Sequence, residues 1–166
     1  YNEEGANFIL KVGDKKANVC TKVLGEFMLA DLLVAVGIAL KVGMNFDEIV
    51  KAIKKVKPVE NRLELKKLAN GLLILDDSFN ANVLGAKQAL NTLSLFTDRE
   101  KVVATPGIVE LGKHQFEANK EFGKDIAKVA NKVIIINKVN LESIKAGLLE
   151  EGFNAENIYE VDNLFV

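Results

Sequence analysis

The sequence is poor in the residues that staple or thread small proteins. It has one cysteine, Cys20, so no internal disulfide can form, and no paired Cys/His spacing offers a structural zinc site. Such usage is expected of a reducing, cytoplasmic setting. Neither sign of charge prevails. With 22 Lys plus Arg against 23 Asp plus Glu, the net charge of -1 gives no overall field to draw a nucleic acid or an anionic membrane, so any anion must be bound locally. The longest apolar run, Phe27 to Leu40, falls short of the roughly 18–20 residues a bilayer span needs and carries Asp31 inside it, so it reads as a buried core helix. No basic segment followed by an apolar stretch and a small-residue cleavage site opens the chain, and nothing directs secretion. Neither Gly-x-Gly-x-x-Gly nor Gly-x-x-x-x-Gly-Lys-Ser/Thr occurs. A dinucleotide fold of the usual kind is therefore unsupported, and if ATP is used, its phosphates must be cradled by residues outside this sequence.

What is present is a foldable chain. Its 166 residues, 49% hydrophobic, suit one ordinary domain, or one domain with part of another, and exclude disorder. The first residue is Tyr1 instead of Met, as expected of a piece of something longer. Phe8–Val12 and Ala17–Val23 are β-rich segments around Gly13-Asp14, a hairpin pattern. A helix is expected from Glu26 to Val42 with Gly43 as its C-terminal cap. Asn45 followed by Glu48 is a capping-box pattern, and Ile49, Ala52, Ile53 and Val56 share one helical face after it. Lys57-Pro-Val-Glu-Asn61 is the best linker candidate, because proline and the residue before it disfavour helix.

After the linker, strands and helices alternate. Leu72–Leu75 reads as a strand buried on both faces, followed by a helix using Ala86, Ala89, Leu90 and Leu93. Lys101–Ala104 precedes a helix from His114 to Asn131 with Phe122, Ile126 and Val129 inward. Val133–Ile136 precedes a helix from Leu141 to Glu151, and Ile158–Val161 is a last strand. This predicts an α/β fold, Rossmann-like, with a mostly parallel sheet.

Ligands of open parallel sheets bind beyond the carboxyl ends of strands. There, Asp76-Asp-Ser-Phe-Asn-Ala-Asn82 forms a very polar crest. Its acids, amides and hydroxyl suit ribose hydroxyls or a hydrated cation, while the next helix offers donors to phosphate. One of these residues must cap that helix, whatever the protein does. A single cap leaves the other polar side chains without a structural reason, which favours a functional crest.

Val59-Glu-Asn-Arg-Leu-Glu64, the crest, and Val109-Glu-Leu-Gly112 together resemble the Mur ligases, and among them the type that adds D-alanyl-D-alanine. Phe79 stands for a tyrosine of the family pattern. Gly25-Glu-Phe-Met-Leu-Ala-Asp31 occupies the place of a family segment of which only the glycine and an acidic version of the last position remain. The resemblance implies that residues 1–57 end a central ATP-binding domain, residues 58–62 are a hinge linker, and residues 63–166 are a C-terminal domain incomplete at its end. It implies an ATP-dependent ligase that joins D-alanyl-D-alanine to a UDP-MurNAc-peptide in peptidoglycan synthesis through an acyl phosphate. The enzyme would be a cytoplasmic monomer with no nucleic-acid or membrane partner.

By the same resemblance, Arg62 and Asp77 contact the nucleotide's ribose or phosphates, Asn80 and Asn82 lie on the nucleotide-facing loop, and Asp31 corresponds to an asparagine that reads adenine. Glu110 is the substrate-binding residue kept from the family pattern. Gly107 replaces a carboxylate, and Asn119 stands where a histidine is common. Taken alone, Arg62 is a surface arginine in a linker, Asp31 is equally well a carboxylate satisfied near a helix start, and His114 is a solvated residue. The ligands of Mg2+ and the phosphate loop are expected outside these residues, so no catalytic residue or metal ligand is assigned and the piece alone is expected to be inactive. Two rivals remain. A folylpolyglutamate synthase would share the arginine and the aspartate but not Asn-Ala-Asn. A receiver-like signalling module would use Asp76, Asp77, Thr105 and Lys138, but no aspartate ends a middle strand to take its phosphate.

Overall fold

The computed structural model describes residues 5–162. The chain divides into two compact units, one up to Phe79 and one from Asn80 onward.

The first unit opens with the expected hairpin. Strand β1 (Ala6–Val12) pairs antiparallel with β2 (Lys15–Thr21), Val12 opposite Lys15, through a two-residue turn in which Gly13 takes φ 57°. Helix α1 (Glu26–Lys41) ends in a Schellman motif. Gly43, at φ 93°, donates to the Leu40 carbonyl and Met44 donates to the Ala39 carbonyl, satisfying acceptors the helix would otherwise strand. Helix α2 (Phe46–Ile53) begins with the expected capping box: Asn45 Oδ1 accepts from Glu48 N at 2.9 Å and Glu48 Oε2 accepts from Asn45 N at 3.2 Å. Replacing Asn45 with alanine is expected to cost about 1 kcal/mol of this unit's stability, read from urea unfolding midpoints.

Leu10, Val19, Leu32, Val36, Phe46, Ile49 and Ile53 form this unit's core. Helix α1 corrects an expectation. Only Leu32 and Val36 on it are buried, while Leu33, Val34 and Ile38 are exposed. Apolar composition all round the helix gave no periodicity to reveal which side would be covered.

Strand β4 is the second correction. It spans Leu73–Asp76 and pairs antiparallel with β3 (Glu64–Lys67), a two-stranded sheet of its own. Ile74 stays 39% exposed, so the strand is not buried on both faces. The turn between them is closed by Leu68 N donating to Leu72 O, with Gly71 at φ 83°.

The second unit carries the parallel sheet. Helix α3 (Val83–Ser94) is followed by β5 (Val102–Thr105), α4 (Gln115–Ala127), β6 (Lys132–Ile136), α5 (Leu141–Glu150) and β7 (Ile158–Val161). The sheet order is β5-β6-β7, all parallel. Val133 and Ile135 point from β6 into a core with Leu90, Ile126, Ala130, Ile144 and Leu148, while their neighbours on the strand are only half-buried. Among the described residues, no helix is long and apolar enough to cross a membrane.

Candidate functional site

In the first unit residues 61–63, in strained backbone, are hydrogen-bonded to the start of the crest. Asn61 and Leu63, on either side of Arg62, adopt φ 58° and φ 48°, a left-handed conformation that costs a residue with a Cβ about 1–2 kcal/mol. Partners hold both in place. Leu63, itself buried, donates its N–H to Asp77 Oδ1 at 3.0 Å, and the Asn61 carbonyl accepts from Phe79 N at 3.2 Å. Arg62 is thereby turned onto the crest, its guanidinium carbon 4.2 Å from the centre of the exposed Phe79 ring. That is cation–π distance.

The two acids of the crest have different surroundings. Asp76 Oδ2 pairs with Lys66 Nζ, and Asp76 Oδ1 accepts from Ser78 N at 3.1 Å. The Lys66 ammonium, followed by Ser78, holds the Asp76 carboxyl below the usual carboxylate range. Asp77 moves the other way. Partial burial pushes it up, against the pull of the Leu63 N–H and the Arg62 charge. Lys66 also reaches Glu64 Oε2 at 3.3 Å and Asn61 Oδ1 at 3.2 Å, so Asp76 belongs to a charge cluster. Asp77 instead accepts from the Leu63 backbone through Oδ1.

Asp31 lies exposed on α1, and no hydrogen bond or ion pair among the described residues joins it to Arg62 or Asp77. In the second unit, Asn82 is the helix cap that the crest had to contain, its Oδ1 accepting from Gly85 N at 2.8 Å. Asn80 is exposed. Glu110 is exposed on the loop after β5, at φ 65°. His114 ends a short 3-10 turn in solvent, as expected of a solvated residue. Among the described residues, no three His, Cys, Asp or Glu side chains are grouped to hold a metal ion.

Reasoning from sequence missed two sets of residues. Lys66 faces Asp76 because the register puts Glu64 opposite Asp76, and Asn70-Gly71, a hairpin-turn dipeptide, was the signal for that pairing. The carboxamides of Asn119 and Asn140, both buried, hold the loop after β5. No local pattern marks them for this, since the loop residues they bond lie 11 to 34 positions away.

The Mur ligase, glutamate ligase domain family matches residues 61–165. The chain belongs to the Mur ligase family. Among curated relatives, the UDP-N-acetylmuramoyl-tripeptide--D-alanyl-D-alanine ligase of Escherichia coli is 29% identical over 136 residues, 81% of this chain and 30% of its own length. The UDP-N-acetylmuramate--L-alanine ligase of Endomicrobium trichonymphae is 29% identical over 117 residues, 68% of this chain and 25% of its own. MurF from Acinetobacter baumannii superposes with a TM-score of 0.78 at 24% identity, covering 96% of this chain and 33% of that one. MurF from Thermotoga maritima, solved in complex with ADP, gives 0.76 at 20% identity, over 98% and 36%. These structures share the fold. The chain spans about a quarter to a third of the length of the relatives it matches.

Proposed function

We propose that this chain is part of an ATP-dependent ligase of peptidoglycan synthesis that joins D-alanyl-D-alanine to a UDP-MurNAc-peptide. In that reading residues 1–57 end the ATP-binding domain, residues 58–62 are the hinge, and residues 63–166 form most of the C-terminal domain. The observation that carries it is Asp77, its Oδ1 anchored by the Leu63 N–H beside the Arg62 charge, on an Asp-Asp-Ser-Phe-Asn-Ala-Asn crest. Its second oxygen accepts from ribose hydroxyls, and Arg62, released from Phe79, follows phosphate charge. Asn80 and Asn82 line the nucleotide side, Asp31 meets adenine and Glu110 meets the amino substrate.

The chemistry is an acyl transfer. The peptide carboxylate takes the terminal phosphoryl group of ATP and releases ADP. The amine of D-alanyl-D-alanine then attacks the acyl carbon, and the tetrahedral intermediate expels phosphate to leave an amide. Mg2+, when bound, would neutralise phosphate charge, its ligands lying outside these residues. The enzyme works as a cytoplasmic monomer, and the piece alone is inactive.

A substrate panel on the complete ligase tests the reading. ADP release that needs both UDP-MurNAc-tripeptide and D-alanyl-D-alanine is expected. Release with folate and glutamate, or with L-alanine in place of the dipeptide, would replace this reading with another ligase of the superfamily. Asp77→Asn is the sharper variant, because its Oδ1 still accepts from Leu63 while its second oxygen becomes an amide. Loss of a charge-assisted hydrogen bond, about 1.5–3 kcal/mol, is expected to weaken ATP use roughly 10- to 100-fold without unfolding the chain. If the KM for ATP and the turnover are both unchanged, Asp77 does not hold the nucleotide.

A further inference from the structure

We propose that Asn119 and Asn140 are positioning residues that hold the loop after β5 in one shape, so that Glu110 is presented to the amino substrate. This rests on the ligase reading above, with Glu110 as the contact. The loop from Pro106 to Gly112 leaves the carboxyl end of β5, where ligands of parallel sheets bind. Left to itself it would not keep this shape. Gly107, Glu110 and Gly112 all adopt positive φ, at 80°, 65° and 53°, and Glu110 has no glycine's freedom to do so.

Two buried carboxamides supply what the loop's backbone lacks. Asn119, on α4 and fully buried, accepts from Ile108 N through Oδ1 at 2.8 Å and donates back to Ile108 O through Nδ2 at 2.8 Å. It thus pairs with both sides of one residue, as a neighbouring strand would. Asn140 Nδ2 donates to Pro106 O at 3.0 Å and to Ile108 O at 3.3 Å. The carboxamides are themselves linked, Asn119 Nδ2 to Asn140 Oδ1 at 3.2 Å, with Gln115 Nε2 donating to the same oxygen at 3.0 Å. Gly107 N donates to Thr105 Oγ1 at 3.0 Å. No buried side-chain polar atom among the described residues is left without a partner.

Two features say that the loop's shape is what these residues serve. Asn140 occupies the N-cap position of α5, yet its side chain makes no capping bond and turns to the loop instead. An asparagine there ordinarily caps its own helix. Gly107 is the counterpart: a Cβ on it would stand 2.6 Å from Asn119 Oδ1 and 2.7 Å from Asn140 Nδ2, so the loop fits the carboxamides only as glycine. The result is a turn made rigid at residues 106–108 and aimed into solvent at Val109 and Glu110.

The test is a split between Michaelis constants in the complete ligase, because KM does not depend on how much of a variant folds. Asn119→Leu removes the clamp. Gly107→Ala keeps both carboxamides and displaces the loop. Since small misplacements of a binding group are costly, each is expected to raise the KM for D-alanyl-D-alanine about tenfold or more and to leave the KM for ATP within about twofold. Glu110→Gln should raise the same constant, and adding it to Asn119→Leu should change little further, as expected of groups acting as a unit. Unchanged KM for the dipeptide in both clamp variants, or an equal rise for ATP, overturns the proposal. An unsubstituted enzyme that ligates no dipeptide is a different result: it removes the ligase reading, and the proposal falls with it.

Discussion

Gly147→Ala is expected to destabilise the second unit by about 2 kcal/mol or more, although alanine is the better helix former. Helices α4 and α5 cross with their backbones nearly touching. A Cβ on Gly147 would fall on the Lys120 carbonyl oxygen and come within 2.9 Å of Lys124 N, and one on Gly123 would fall on the Ile144 carbonyl oxygen. These neighbours are backbone and cannot swing aside, so the helices must separate. Their packing would loosen along its length, and with it the bridges of Lys120 to Glu150 at 2.6 Å and of Lys124 to Glu150 at 2.9 Å. The gain in helix propensity, about 0.5–1 kcal/mol, offsets only part of that cost. Gly37→Ala is the matched control. It lies exposed in α1 with nothing near a new Cβ, so the same exchange is expected to stabilise by about 0.5–1 kcal/mol. Urea midpoints that move in the same direction for both variants would contradict the close crossing.

Leu148→Ala and Ile144→Ala are each expected to cost about 2–5 kcal/mol. Both side chains are fully buried, and with Ile126, Val133 and Ile135 they form the middle of the second unit's core. Removing three carbons there loses their transfer free energy and leaves a cavity that α5, held by its close crossing with α4, cannot collapse to fill. Val34→Ala on α1 removes apolar atoms that are 63% exposed and is expected to stay within about 0.5 kcal/mol. Hydrogen exchange of the β6 amides distinguishes the sites, since protection there should fall in the two core variants and persist in Val34→Ala. A small effect at Leu148 would mean that this core is looser than its burial indicates.

Much of this architecture could be read before the structure. The β1–β2 hairpin, the capping box at Asn45 and the helix–strand alternation from Val102 onward all depend on residues within a few positions of one another. The Gly13-Asp14 turn, the Asn45–Glu48 exchange and the alternating burial of β6 are local, and local physics writes them into composition and spacing. That some crest residue caps α3 could be read in the same way, and the structure makes it Asn82.

The remainder depended on contacts between residues far apart in the chain. Leu72–Leu75 carries the apolar run of a strand covered on both faces, but its partner is β3, and a strand's exposure depends on what lies beside it. Asp76 and Asp77 are adjacent and chemically identical in the sequence. Only folding brings Lys66 to one and partly buries the other, lowering the first carboxyl and raising the second. Residue types and turns near in sequence thus determined which elements form and where a polar crest stands. The tertiary structure alone decided which acid pairs with a lysine, which is partly buried, and which asparagines bond the loop after β5, because charge, burial and hydrogen bonding act through space and take no account of separation along the chain.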